Sequence, residues 1–575
     1  MRNFLTIKED ILRYKRYLIT GFIALVVVDI LQLFIPRIVK YAIDTLVGGN
    51  AQVAILLRYA LYIVSIALGV GICRFFWRYL IAGTARRIER NLRLKLFSHF
   101  ENLGMKFYSN TRVGDLMAHA TNDVDAVRRT IGMGIIIGTD ILVLGSLSIV
   151  FMIFINLKLT LMALIPFPLL IFIGLRFGRL IHKRFEEVQA GFSDLSSCVE
   201  ENVRGIRVVR GYNQEEGEIN KFLSVSRDYI RRNINLIKVW GFFFPLIFFF
   251  ANLSIWIILR FGGVGVITTT ISMGDFVAFQ SYLMILVWPM IAIGWVINII
   301  ERGSASMGRI NKLLDVSPEI KDTGKAKIKT IRGLIDMKSV FFSYNGKPIL
   351  KNIDLYAEPG KKIGIVGGIG SGKSTLVALI ARLYEVEKGE ILFDGVPIRE
   401  IPLKILRRSV GFVPQDVFLF SDTIRENIRF GNPNATDDEI VEVVRLCGLS
   451  DEIEGFPKGL DTVVGERGLS LSGGQRQRIT LARAIIKNPS ILILDDALSS
   501  VDTEKEAEII DNLRDFLKER TTSIVSHRLK SLIDSDEVIV LQDGEITERG
   551  THQELVEMNG FYANLFRLQQ LEEVL

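Results

Sequence analysis

KKIGIVGGIGSGKST, residues 361 to 375, runs an apolar stretch straight into a glycine-rich turn that ends in Lys-Ser-Thr. Gly367, Gly372, Lys373 and Ser374 meet the pattern G-x-x-x-x-G-K-[ST]. Each residue type has a chemical reason. Glycines let successive backbone N–H groups curl around phosphate oxygens at the start of a helix. Lys373 supplies a positive charge for β/γ-phosphates, and Ser374 a hydroxyl for Mg²⁺. STLVALIARLY, which follows, reads as the helix that such a loop opens. The run Gly367, Gly368, Ile369, Gly370, Ser371, Gly372, Lys373, Ser374 and Thr375 is therefore the expected ATP-phosphate cradle of an α/β P-loop domain.

That domain accounts for only part of the chain. With 575 residues, 49% of them hydrophobic, the sequence is too long for one domain and too apolar for an ordinary soluble enzyme. Long apolar runs fill it up to about Ile300; beyond that they shorten to strand length. About 20 apolar residues cross a bilayer. Six stretches qualify: Tyr17 to Ile43, Ala54 to Trp77, Ile131 to Ile155, Leu159 to Gly178, Trp240 to Val266 and Phe276 to Ile300. The connections Asp44 to Asn50 and Gly262 to Gly274 hold no Lys or Arg, whereas the segments on the other side are rich in both. The positive-inside bias then puts the N-terminus and the C-terminal half in the cytoplasm, with the spans in the cell inner membrane. It also absorbs the formal charge of +7, so no nucleic-acid partner is expected. No cleavable signal peptide is expected, since the first apolar run is too long and has Asp29, Arg37 and Lys40 in or near it. Cys73, Cys198 and Cys447 are too scattered to suggest a disulfide framework or a zinc site.

Between the spans, Arg78 to Arg129 and Arg179 to Lys238 keep a helical apolar rhythm, as in RIERNLRLKLFSHFENL. Each reads as a helical hairpin projecting below the bilayer, with tips in FYSNTRVGDLMAHATND and VRGYNQEEGEINKF. A charged tip far from lipid suits a docking surface for the cytoplasmic domain. The expected division is a membrane domain over 1–315, a linker over 316–332 and a cassette over 333–575.

LSGGQ, Leu471 to Gln475, between the P-loop and the apolar strand ILILDD, marks a resemblance to the ATP-binding cassette (ABC) proteins. It covers nearly the whole chain, because six fused spans with long cytoplasmic loops resemble the membrane domain of ABC exporters. The resemblance implies an α-helical membrane domain followed by an α/β P-loop ATPase, acting as an ATP-hydrolysing translocase. It implies that Tyr344 stacks on adenine, that Gln415 in VGFVPQDVFLF senses Mg²⁺, and that Asp495 holds Mg²⁺ with Ser374. TVVGERG, Thr462 to Gly468, looks like the exporter X-loop, Asp502 like the D-loop aspartate and His527 like the switch histidine at the γ-phosphate. Ser472, Gly473, Gly474 and Gln475 would complete the ATP site of a facing chain. This half-transporter would therefore need a second one, with the tips near Thr111 to Asp115 and Gly211 to Gln214 passing on the motion.

One residue departs from the family pattern. Active ABC sites carry Glu after the strand aspartate; here it is Asp496, one methylene shorter. A retraction of about 1 Å can cost on the order of 100-fold in rate. The site is expected to bind ATP and hydrolyse it slowly, as in the degenerate-site subunit of heterodimeric bacterial multidrug exporters. The alternative is a homodimer in which Asp496 works through a different water position. Hydrophobic or amphipathic drugs are the expected cargo by resemblance, with lipids or peptides, or an ATP-gated channel-like protein, as alternatives. Asp29 and Asp140, charges at membrane depth, are the candidate substrate residues; alternatively they line a wet cavity or pair with Asn252 or Asn298.

Overall fold

The computed structural model describes residues 2–49, 52–322, 324–465, 468 and 471–574. The fold is that expected from the sequence: six long apolar helices, then a sheet-containing P-loop domain. The helices are Lys15–Val47, Val53–Asn102, Val113–Ile155, Leu157–Arg204, Glu215–Ile267 and Met273–Leu314. Each contains one of the six expected spans. Several are far longer than a bilayer requires. At 1.5 Å per residue, the 50 residues of Val53–Asn102 extend about 75 Å, more than twice a hydrocarbon core of about 30 Å. The surplus is the pair of helical extensions.

Chain contacts divide the molecule into two units, Met1–Asn102 with Thr111–Val316, and Leu103–Asn110 with Ser317–Leu575. In the first, Leu33, Met152, Phe167, Phe279, Tyr282 and Leu286 form one apolar core. Ile7, Ile88, Leu92, Val124 and Met307 form another. Phe75, Phe154 and Phe172 remain exposed, as side chains facing lipid do. Gly303 is dictated by a close helix crossing: a Cβ there would lie 2.8 Å from Thr130 Cβ. The first extension turns earlier than its sequence suggests. Short helix Met105–Asn110 makes the turn, and Val113–Ala118 is already on the returning helix, so Thr111–Asp115 straddles the end of the turn. The second turn, with helix Ile206–Gly211, falls close to the expected Gly211–Gln214.

Among the described residues, the second unit holds ten strands in two sheets. An antiparallel sheet contains β1 (Ile335–Tyr344), β2 (Lys347–Ala357), β4 (Lys388–Phe393) and β5 (Val396–Pro397), in the order β2-β1-β4-β5. The other contains β3 (Lys362–Gly367), β6 (Val410–Val413), β7 (Ile491–Asp495), β8 (Thr521–Val525), β9 (Glu537–Gln542) and β10 (Glu545–Gly550), in the order β10-β9-β3-β8-β7-β6. β3 pairs in parallel with β8 and β9, and β7 in parallel with β8 and β6. Every residue of β7 and β8 is buried, which explains the unbroken apolar run from Ile491 to Leu494 in β7. Register sets the function: Asp495 lies opposite Val525, and Val525 opposite Ile365. The Asp-Asp pair and the P-loop thus emerge at one carboxyl edge, where open α/β sheets bind ligands.

Candidate functional site

A cleft of about 590 Å³ opens at that edge, within the size range of small-ligand sites. Its walls include Tyr344, the P-loop from Ile369 to Thr375, Gln415, Asp495, Asp496 and His527. Residues spread over about 180 positions of sequence meet here because five segments end at one edge.

The P-loop is shaped by two left-handed glycines, Gly370 (φ +80°) and Gly372 (φ +103°). At Gly372 a Cβ would stand 2.8 Å from Leu350 Cδ2, so conformation and space both demand glycine. Ile369 at the tip is 99% exposed. Lys373, opening helix Lys373–Ile380, is buried and folds back on its own loop, donating to the carbonyls of Gly367 (2.9 Å) and Gly368 (2.8 Å). Burial pulls its pKa down, opposed by the charges of Asp495 and Asp496. Ser371 Oγ is buried with no hydrogen-bond partner among the described residues. An orphaned hydroxyl inside a glycine cradle fits a phosphate oxygen.

Ser374 Oγ donates to Asp495 Oδ1 over 3.2 Å. Burial raises the Asp495 pKa, the Ser374 bond opposes this, and the Asp496 charge adds to it. A buried carboxylate short of positive charge, beside a hydroxyl and with Gln415 on the same cleft wall, is a set of hard oxygen donors suited to Mg²⁺. Among the described residues no group of three or more His, Cys, Asp or Glu is placed so as to hold a metal ion, so the ion's remaining ligands would be phosphate and water.

Asp496 has φ +51°, a left-handed conformation that Asp and Asn tolerate best among residues with a Cβ. Its N–H donates to Val525 O (2.9 Å) and its carbonyl accepts from Ser499 Oγ (3.0 Å). Tyr344 meets Tyr384 edge-on at 5.4 Å on one side of the cleft.

The signature residues lie outside this cleft. Ser472 caps helix Gly473–Ile485 in a reciprocal box: Ser472 Oγ accepts from Gln475 N–H (3.2 Å) and Gln475 Oε1 accepts from Ser472 N–H (2.9 Å). Gly473 and Gly474 are packed against Ser500: a Cβ at Gly474 would stand 3.0 Å from the Ser500 carbonyl oxygen. Asp502 caps helix Thr503–Asn512 by accepting from Lys505 N–H (2.8 Å). Of the X-loop, Glu466 and Arg467 lie outside the described residues.

Two residues not singled out by sequence tie these parts together. Buried Gln477 donates to Ser499 Oγ (2.9 Å) and accepts from Ser500 N–H (2.8 Å), joining the signature helix to the loop after Asp496. Arg528 donates to the carbonyls of Val501 (2.9 Å) and Ser499 (3.3 Å) and pairs with Glu506 at 2.5 Å. Both adjoin quoted motifs, but neither has a periodic signal.

At membrane depth, Asp29 is buried and its Oδ2 has no hydrogen-bond partner among the described residues; the charges of Asp140 and Arg74 bear on it. Asn252 donates to Phe248 O in its own helix (2.8 Å).

Six membrane-length helices joined to a P-loop domain in which Ser374 meets the strand aspartate Asp495 define a membrane-bound nucleotide-hydrolysing machine. The family model described as ABC transporter transmembrane region matches residues 18–290, and that described as ABC transporter matches 350–499. "Probable multidrug resistance ABC transporter ATP-binding/permease protein YheI" of Bacillus subtilis (strain 168) is 38% identical over 97% of this chain and 95% of its own length. "Multidrug resistance-like ATP-binding protein MdlA" of Escherichia coli (strain K12) is 38% identical over 98% and 95%. Among solved structures, a bacterial Atm1-family ABC exporter with ATP bound matches with a TM-score of 0.80 and 26% identity, covering 96% of this chain and 98% of that one. The chain belongs to the ABC transporter family, as a multi-pass membrane protein whose cassette binds and hydrolyses ATP to drive transport.

Proposed function

We propose that this chain is one half of a dimeric exporter of hydrophobic or amphipathic compounds, paired with a different half-transporter and carrying the slower of two ATP sites. The observation behind this reading is the division of parts. One cleft gathers the P-loop, Gln415, Asp495, Asp496 and His527, while Ser472 to Gln475 lie outside its lining, at the start of a helix, where they would complete a site on another chain. The proposed organisation is a membrane domain over 1–315, a linker over 316–332 and a cassette over 333–575, with N-terminus and cassette in the cytoplasm and the spans in the inner membrane. Grouping of Leu103–Asn110 with the cassette unit supports a docking role for the first tip.

In this mechanism Tyr344 offers a face to adenine. The backbone N–H groups from Gly368 to Thr375 and the Ser371 hydroxyl receive the phosphates, and Lys373 exchanges its two loop carbonyls for β/γ-phosphate oxygens. Ser374, Asp495 and Gln415 would hold Mg²⁺, which when bound draws charge from the phosphates. Asp496 orients the attacking water and His527 contacts the γ-phosphate. The shorter reach of Asp496 makes that step slow, so ATP here chiefly holds the cassettes closed. Differential affinity of ATP for the closed pair supplies the bias toward the outward-facing state.

The multidrug names of the relatives support the substrate class, as does the first unit's cavity of about 620 Å³, where Trp240, Phe243 and Trp295 adjoin Asn298 and Glu301. Asp29 and Asp140 are proposed to attract cationic amphiphiles, with lipid at the outer faces of the spans. The test is to purify the assembly through a tag on this chain, weigh its components, and measure ATP-dependent dye uptake into inside-out vesicles. Two copies of this chain alone, or conduction without uphill uptake, would sink the proposal.

A further inference from the structure

The C-terminal helix Phe561–Val574 reaches back to the turn that carries His527. Its base is rigidly set. Tyr562 and Ala563 are fully buried, Tyr562 OH meets His552 Nδ1 at 2.7 Å, and the Glu548 carboxylate on β10 accepts from the first N–H groups, including Tyr562 N at 3.1 Å. Two turns further along, Gln569 makes two bonds with one amide. Nε2 donates to the carbonyl of His527 (2.6 Å), and Oε1 accepts from the N–H of Leu529 (2.9 Å). Those atoms flank Arg528, so the amide spans the turn as a neighbouring strand would. The turn is braced from within as well. Ser526 Oγ accepts from Arg528 N–H (3.0 Å), and Ser531 Oγ donates to Arg528 O (2.8 Å).

We infer that Gln569 is a positioning residue for His527: its amide fixes the backbone on both sides of Arg528, so that the C-terminal helix sets how far the His527 ring stands into the nucleotide cleft. This rests on the assignment of that cleft as the ATP site. Arg528 extends the consequence. With its backbone held, its guanidinium keeps its bonds to Ser499 and Val501, in the loop that Gln477 ties to the signature helix. A shift of the C-terminal helix is therefore felt at His527 directly and at Ser472 through Arg528 and Gln477. His527 is the cleft residue assigned to the γ-phosphate. Gln569 should accordingly govern how well the cleft tells ATP from ADP, rather than how tightly it binds nucleotide in general.

The experiment uses the full-length chain in its assembled transporter. This chain is photolabelled with 8-azido-ATP, resolved from its partner, and competed with ATP or with ADP. Gln569→Leu is expected to lower the ATP-over-ADP preference about tenfold, the scale of losing hydrogen bonds around a charged ligand, and to leave ADP competition unchanged. Gln569→Glu keeps an acceptor for Leu529 N–H but loses the donor to His527 O; it should act in the same direction, and it serves if the leucine variant does not fold. His527→Ala should lower the preference by itself, and adding Gln569→Leu to it should do nothing more, as expected when one residue acts through the other. Equal weakening of ATP and ADP, or additive losses in the double variant, would assign Gln569 a merely structural role. An effect of His527→Ala without one of Gln569→Leu or Gln569→Glu overturns this inference alone. No effect of His527→Ala overturns the assignment of the cleft, and the inference with it.

Discussion

Asp496→Asn and Ser472→Arg are expected to have opposite consequences for ATP turnover, for reasons that can be separated from folding. At Asp496 the conformation is left-handed, φ +51°, and Asn adopts it as readily as Asp. The bonds to Val525 O and from Ser499 Oγ involve only backbone atoms of residue 496 and survive the exchange. The stability change should stay within about 0.5 kcal/mol. At Ser472 the side chain is exposed, so arginine has room, but the cap is lost: Gln475 N–H no longer has its acceptor. That costs about 1 kcal/mol, or roughly 2–4 °C in a domain of this size. Both proteins should fold. Steady-state ATPase activity of the assembled transporter then separates them. If the competent site is the one completed by this chain's signature, Asp496→Asn should cost less than about twofold. Ser472→Arg should remove at least about nine-tenths of turnover, because bulk and charge intrude where a serine meets the partner's nucleotide. A working general base contributes on the order of 100-fold or more. A loss of that size from Asp496→Asn, in an assembly whose mass corresponds to two copies of this chain, would refute the degenerate-site reasoning and make Asp496 the catalytic base of a homodimer.

Lys373→Ala removes a buried charge and the donor to Gly367 and Gly368, so ATP affinity of this cleft should fall about tenfold or more, read by photolabelling of this chain; unchanged affinity removes Lys373 from the site. Tyr344→Ala should weaken ATP by only about fivefold, the scale of one lost stacking contact. Asp495 has a folded-state pKa raised by burial, so its contribution to stability is full below the unfolded carboxyl range and lost as pH rises through the folded value. Asp495→Asn should therefore raise the nucleotide-free melting temperature at neutral pH, with the gain shrinking on acidification, while Mg²⁺ no longer strengthens ATP binding; a gain that is independent of pH contradicts the assignment of the shift. Asp29→Asn or Asp140→Asn should reduce export of a cationic dye and spare a neutral one of similar size, since only the Coulomb term changes; equal loss of both points to structure.

What could be read from sequence was what chemistry or solvent forces into few residue types. Phosphate binding by backbone demands glycines and lysine at fixed spacing, so Gly367 to Thr375 are legible. Lipid demands about 20 apolar residues, so six spans are too. The turn of the first extension was less legible, because the amphipathic rhythm before Leu103 resumes at Val113 and the short helix Met105–Asn110 sits between without a proline. Gln477 and Arg528 were harder still. They bond mainly to backbone atoms of distant loops, and such partners exist only after the strands have brought Asp496 and His527 to one edge.

In the proposed dimer the loop from Asp496 to Asp502 would serve two half-sites, which would explain how a shortened carboxylate can persist beside an intact signature. Facing the cleft, Asp496 presents only a side chain; facing the signature helix, the same loop presents the Ser499 hydroxyl and the Ser500 N–H to Gln477. Ser500 also packs against Gly473 and Gly474, where an added Cβ would stand 3.2 and 3.0 Å from it. Shortening the side chain at 496 alters the chemistry of the near cleft but touches none of those backbone and hydroxyl contacts. A change that moved the backbone of the loop would instead displace Gly473 and Gly474 and disturb the far site as well. Loss of reach without loss of backbone position is therefore a route by which one chain can slow its own ATP site and still complete its partner's.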